Sequence, residues 1–253
     1  LKARSTAFQV SHHLLLSHGM VVQAVRQSHP DLKLGIVLNL SPIYPASDAQ
    51  ADLDKARLDD GYIVRWYMDP LFKGSYPADV WTDLGSDAPV VLEGDLQTIA
   101  QTLDFVGVNY YTRNFSSSGN PWDVRANAKR VTDMGWEVFP QGLTELLVRL
   151  TKDYAPKALM VTENGSAFVD QLVDGKVHDP ERMEYLQEHI FECRRAIELG
   201  VPLTAYFAWS LMDNFEWASG YAKRFGLVYV DYASQERIIK SSGRWYADFL
   251  KGV

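Results

Sequence analysis

"ALMVTENGSAF" (residues 158–168) and "DPERMEYLQEHIFECRRAIELGVPLTAYFAWS" (residues 179–210) together decide how this chain folds. The first is a short apolar run that ends in Thr-Glu-Asn-Gly, which reads as a strand delivering a carboxylate at its end. In the second, Asp179 can cap a helix with Pro180 in its first position, and Gly200 stops it. Between them Met183, Leu186, Ile190, Cys193 and Ile197 recur at helical spacing. "VPLTAYFAWS" then begins another strand. Strand, helix, strand, with both strands nearly continuous in apolar residues, is the pattern of parallel strands covered by helices on one or both sides.

The same alternation extends toward the N-terminus. "STAFQVSHHLLLSHGMVVQAVRQSHP" predicts a helix ending at Pro30, and "LKLGIVLNL" (32–40) a buried strand opening into the loop "SPIYPASD". A helix-rich insert carrying "DDGYIVRWYMDPLFKGSYP" separates it from the strand "LDFVGVNYY" (103–111). A long loop then leads through "TDMGWEVFPQG" to the helix "LTELLVRLTKDY". Four parallel strands are expected. No Gly, Ser or Pro linker cuts the chain, so one domain over residues 1–253 is expected as well.

Composition narrows the function. At 253 residues and 47% hydrophobic, the chain supplies one large core or two modest ones. A net charge of -7 with scattered basic residues leaves no footprint for nucleic acid or an anionic membrane. No apolar run approaches the ~18 residues of a bilayer span, and "LKARSTAFQV" lacks the apolar core of a signal peptide. Cys193 is the only cysteine, which excludes an internal disulfide or a cysteine metal cluster. A reducing compartment fits, so the cytoplasm is expected, with secretion left open because the native N-terminus is not in this chain.

Ligands of parallel α/β architectures sit at the carboxyl ends of the strands. Those ends read Asn39, then Asn109-Tyr110-Tyr111, then Glu163-Asn164, then "AWSLMDNFEW" (208–217). Any one of them alone is more simply a capping or core residue. Four ends that combine carboxylates, amides and aromatic rings have the composition of a carbohydrate cleft. His12, His13, His18 and His29 lack the i, i+4 pairing with a nearby carboxylate that a helical metal site shows, so they read as solvated or core residues, and no cofactor is expected. "TKDYAPK" reads as a solvated helix end and "DLDKARLDD" as an exposed helix face.

"TENG", "NYYTR", "TDMGWE", "DGYIVRWYMDPLFKGSYP" and "YFAWSLMDNFEWASGYAKRFGLVYVDY" resemble the signature segments of family 1 glycoside hydrolases, the β-glucosidase and β-galactosidase family built on a (β/α)8 TIM barrel. The resemblance implies that Glu163 is the nucleophile of a retaining hydrolysis and that Tyr111 orients it, with Asn109 supporting the same site. It places Trp209 under the sugar, Glu216 on its 4- and 6-hydroxyls, Trp217 beside the ring, Phe225 at its edge and Trp136 at the mouth, where a leaving group stacks. Tyr110 should face the other way and pack. Trp66, Trp81 and Trp245 read as barrel packing.

The family's Thr-Phe-Asn-Glu-Pro segment, which carries the acid/base carboxylate, does not occur in this sequence. The resemblance therefore implies strands five to eight of the barrel, with the N-terminal half supplied as a separate chain or cleaved segment. The implied substrate is a small β-glucoside or cello-oligosaccharide. A truncated, non-catalytic sugar-binding remnant is the alternative. A 6-phospho-β-glycosidase is disfavoured by Glu216 and Trp217, and a myrosinase-like thioglucosidase turns on a residue outside the chain.

Overall fold

Four parallel strands form the central sheet: β1 (Gly35–Asn39), β2 (Phe105–Asn109), β3 (Leu159–Asn164) and β4 (Leu203–Ala208). The structure is a computed structural model that describes residues 3–119 and 128–252. In the sheet each strand lies beside the one before it in sequence, and every pairing is parallel. Each new strand therefore joins the same edge, and crossovers of one hand put their helices on one face. A doubly wound sheet would reverse direction at some point, and this one does not. The arrangement is the wall of a β/α barrel.

Helices α1 (Arg4–Ser28), α2 (Gln141–Tyr154), α3 (Pro180–Glu198) and α4 (Ser241–Lys251) account for most of the outer layer. The main core lies between helices and sheet. It joins Leu15 and Val22 of α1, Val106 and Val108 of β2, Leu143, Leu147 and Leu150 of α2, and Leu159 and Val161 of β3. The concave face is different, for Val37 is 49% exposed and Phe207 is 54% exposed. On that face Gly107 leaves room for its neighbours, since a Cβ there would come within 2.8 Å of both Val37 and Thr162.

The insert between β1 and β2 runs as helix from Gln50 to Lys73, passing through a π-helical stretch at Gly61–Arg65. Trp66 is fully buried there, stacked on Tyr76 and donating its indole N–H to Ser11. Trp81 also stacks on Tyr76, and Trp245 packs on Phe249, so these tryptophans build the outer layer as expected. His12 is a core residue, bonded to Tyr76 and Asp95.

Three expectations about solvated or apolar faces need correction. In "DLDKARLDD", Asp52, Ala56 and Asp60 are buried, and Asp60 takes Arg65 and Arg149. In "TKDYAPK", Tyr154 is buried and donates to Asp69 at 2.7 Å. On α3 the buried stripe runs through Arg182, Tyr185, Leu186, His189, Cys193 and Ala196, while Ile197 is 52% exposed. Asp179 does sit at the helix start, yet its carboxylate caps no α3 amide. It accepts instead from Arg182 and from the backbone and hydroxyl of Ser242 on α4. Polar groups replaced apolar ones on this face because their partners arrive from other loops.

Candidate active site

Glu163 owes its direction to an extra residue in β3. Along β2, Val108 and Asn109 pair with Val161 and Glu163, and along β4, Tyr206 and Ala208 pair with Val161 and Asn164. Over the same stretch β3 is one residue longer than either neighbour, which is a bulge, and bulges re-aim side chains. Thr162 covers Gly107 and donates to Asn109 Oδ1 at 2.8 Å, fixing that amide. Glu163, next along, accepts the Tyr111 hydroxyl on Oε2 at 2.5 Å. Burial, this hydrogen bond and the negative charges of Glu163 and Glu216 together hold the Tyr111 phenol well above its usual range, so it donates and stays neutral.

Aromatic rings close one side of the pair. Tyr111 lies 5.5 Å from Trp136 and 6.2 Å from Phe225, which themselves are 6.1 Å apart. Trp136 is held through its neighbour: Arg113 forks onto Glu137 at 2.8 and 2.9 Å, and the Thr112 hydroxyl donates to the Glu137 carbonyl. The Arg113 guanidinium also sits 3.6 Å from the Phe139 ring centroid. Beside Tyr111 a cleft of about 230 Å³ opens, lined in part by Asn39, Arg113, Asn114 and Trp136. Tyr110 points to the other face as expected, fully buried, with its hydroxyl on the Phe139 carbonyl.

At the end of β4 the Trp209 amide donates to the Asn164 carbonyl at 2.8 Å. The two strand ends approach so closely that a Cβ on Gly165 would lie 1.7 Å from the Trp209 oxygen. The following loop brings Glu216 toward Glu163. Burial first, and then the negative charge of Glu163, raises the Glu216 carboxyl above its ordinary value. Phe225 is buried, whereas Trp217 stands 81% exposed on a short 3-10 turn, apart from the ring cluster. The structure thus brings Asn109, Tyr111, Trp136, Glu163, Trp209, Glu216 and Phe225 to one end of the sheet.

Under that loop lies a buried charge cluster of which the sequence assigns a role only to Asp179, as a helix cap. Arg182 pairs with Asp170 and Asp179, Lys240 with Asp170 and Asp213, and Arg224 with Asp213. Asp213 also accepts from the Gly226 amide at 2.9 Å, so the loop from Trp209 to Phe225 is pinned at both ends. Arg113 and Asp213 both fall inside quoted signature segments, and their charge in an otherwise aromatic context is the signal that could have found them. Tyr185 offered none. Among the described residues no group of three or more His, Cys, Asp or Glu side chains is arranged to hold a metal ion.

Comparison with known proteins agrees with this architecture. The chain is 42% identical over 262 residues to β-glucosidase A of Acetivibrio thermocellus, covering 99% of this chain and 58% of that protein. It is 39% identical over 275 residues to a bifunctional β-D-glucosidase/β-D-fucosidase of Bifidobacterium breve, with the same shares covered. A family 1 β-glucosidase structure from Thermotoga maritima superposes with a TM-score of 0.93 at 38% identity, covering 99% of this chain and 58% of that one. The chain thus spans a little over half the length of these relatives, and its four strands are the C-terminal half of a (β/α)8 barrel. The model of glycosyl hydrolase family 1 matches residues 1–252, and this chain belongs to that family.

Proposed function

We propose that this chain is the C-terminal half of a single barrel domain that acts as a retaining β-glycosidase on terminal, non-reducing β-D-glucosyl residues. The observation that carries the reading is the Tyr111 hydroxyl 2.5 Å from Glu163 Oε2, at a bulged strand end. With Oε2 occupied by a donor, Oε1 is the oxygen left to attack. Glu163 attacks the anomeric carbon as the glycosidic C–O bond breaks, and water then cleaves the glycosyl-enzyme ester with net retention. Trp209 underlies the sugar, Glu216 accepts hydrogen bonds from its 4- and 6-hydroxyls, Phe225 closes its edge, Trp136 stacks on the leaving group, and Trp217 comes beside the ring from its exposed turn. Asn109 supports the nucleophile. The bifunctional relative from Bifidobacterium breve supports extending the glycone range to β-D-fucosides.

Retention needs two carboxyl groups about 5 to 5.5 Å apart, one attacking and one protonating the departing oxygen. We assign the second to the N-terminal half of the barrel. Support comes from the open edges of β1 and β4 and from Val37 and Phe207, apolar yet about half exposed on the concave face. A buried free Cys193 supports a reducing location such as the cytoplasm.

The test uses the completed barrel with an aryl β-glucoside. Glu163→Gln is nearly isosteric and should lower the rate by several orders of magnitude. A variant within about tenfold of the parent would end the assignment. The isolated chain, verified by mass to be free of a companion, should leave cellobiose uncleaved, because that leaving group requires the acid. Turnover of cellobiose by the isolated chain at a normal enzymatic rate would refute the companion-half reading.

A further inference from the structure

Tyr185 lies on α3, outside the sheet, and is fully buried. Its hydroxyl accepts from Asn164 Nδ2 and donates to the Tyr111 carbonyl, both at 3.1 Å. Asn164 follows Glu163 in the chain, and Tyr111 carries the hydroxyl that Glu163 accepts. One oxygen of the outer layer therefore touches the side-chain amide at the end of β3 and the backbone just past β2, on the two sides of the Tyr111–Glu163 hydrogen bond. We propose that Tyr185 is a positioning residue for that pair, tying the end of β2 to the bulged end of β3 so that Tyr111 and Glu163 stay in register.

The need for such a tie follows from the bulge. Between Val161 and Asn164 the ladder shifts register against both neighbouring strands. The ladder is offset at the place where Glu163 must be held still, and a single backbone bond on each side remains, from the Tyr110 amide to the Glu163 carbonyl at 2.9 Å and from the Trp209 amide to the Asn164 carbonyl at 2.8 Å. Side chains add to these two bonds. The buried amide of Asn164 donates to the Tyr110 carbonyl at 2.8 Å and to Tyr185, and accepts the Tyr206 hydroxyl at 2.8 Å. That satisfies both of its donors and one acceptor position, as a buried amide requires. Tyr206 reaches only Asn164; Asn164 itself ties β3 to the Tyr110 carbonyl, and Tyr185 carries that tie one residue further, to Tyr111, the residue whose hydroxyl Glu163 accepts.

Tyr185 is itself immobilised from behind. His189, one helical turn on, stacks on its ring at 3.9 Å and 25°, and His189 Nδ1 donates to the Tyr185 carbonyl at 2.7 Å. Burial pushes the His189 imidazole down to about 3, so the ring is neutral and sits against Tyr185 as packing. A hydroxyl held this way acts on the site through hydrogen-bond direction, with no contact to substrate.

The inference rests on the assignment of Glu163 as nucleophile, and the experiment separates the two. Tyr185→Phe keeps the ring and its stacking and removes only the hydroxyl. In the completed barrel with an aryl β-glucoside, kcat should fall about tenfold, the scale of one to two lost hydrogen bonds, with KM changed less than about twofold. In a Tyr111→Phe background the same substitution should have almost no further effect, because the pair it positions is already broken. Equal losses in both backgrounds, or an unchanged kcat in a variant that merely melts earlier, would overturn the proposal and leave Tyr185 a packing residue. If Tyr185→Phe does not fold, Asn164→Ala breaks the same tie from the other side and is read by the same coupling to Tyr111. Glu163→Gln is run in the series. If it retains the parental rate, the nucleophile assignment fails; if it is inactive while Tyr185→Phe matches the parent, only the positioning role fails.

Discussion

Lowering the pH from 7 to 5 should destabilise this chain through His189 by an amount that can be worked out in advance. The ring is buried and its folded value is pushed down to about 3, chiefly by burial. In the unfolded chain the same group titrates near the ordinary ~6.5. Between those values the unfolded state binds a proton that the folded state refuses, so stability is full above the ordinary value and drains away as pH falls through it. Integration from pH 7 to pH 5 gives a loss of about 2 kcal/mol, set by the ordinary value and hardly by how far below it the folded value lies. His189→Phe removes the titration and keeps an aromatic ring under Tyr185. Urea unfolding followed by tryptophan fluorescence at pH 7, 6 and 5 measures the effect. The parent should lose about 2 kcal/mol more than the variant across that range, whatever their difference at pH 7. Parallel pH dependences, within about 0.5 kcal/mol, would mean that His189 is not held neutral and that the description of its environment is wrong.

The site makes its own demands. Glu216→Ala should raise the barrier for β-glucosides by about 2 to 4 kcal/mol, since two sugar hydroxyls lose a charged acceptor, and an unchanged kcat/KM would remove Glu216 from the sugar site. Glu163→Gln should move the Glu216 carboxyl titration to lower pH, because the negative charge that helps raise it is gone; a carbon-detected NMR titration with the midpoint unmoved would show that the two groups do not share a field. Arg113→Lys keeps the charge but loses the fork onto Glu137, so it should cost about 1 to 2 kcal/mol of stability and weaken binding of aryl more than alkyl glucosides. Equal KM changes for both aglycones would detach Arg113 from the placement of Trp136.

What could be seen in the sequence was what depends on neighbours along the chain. Apolar runs marked all four sheet strands, and the spacing from Asp179 to Gly200 marked α3, because strand and helix burial follow local periodicity. The faces of those helices were harder. Asp60 is buried by Arg149, Tyr154 by Asp69, and Arg182 by Asp170 and the Arg224 carbonyl, and no local pattern announces partners so far away. At the site, the motif resemblance pointed to Glu163 and Tyr111, which the structure pairs directly. The bulge that aims Glu163 was invisible, since an extra residue shows only against the strands beside it. Tyr185 was hidden for a related reason: on a helix its spacing with Leu186 and His189 reads as ordinary core.

The close meeting of Gly165 with the Trp209 oxygen gives the last letter of Thr-Glu-Asn-Gly a meaning apart from turn-making. At Gly135 and Gly175 positive φ angles favour glycine and a Cβ would meet nothing within 4 Å; at Gly165 no such angle applies, yet a methyl group would overlap a backbone carbonyl. The first two positions tolerate substitution at the expense of local backbone strain. The third leaves no room for a side chain unless the whole end of β4 moves outward. In a saturation library, residue 165 should therefore behave as a ruler for the cleft: whatever is accepted there resets the spacing between the strand that holds Glu163 and the one that holds Trp209.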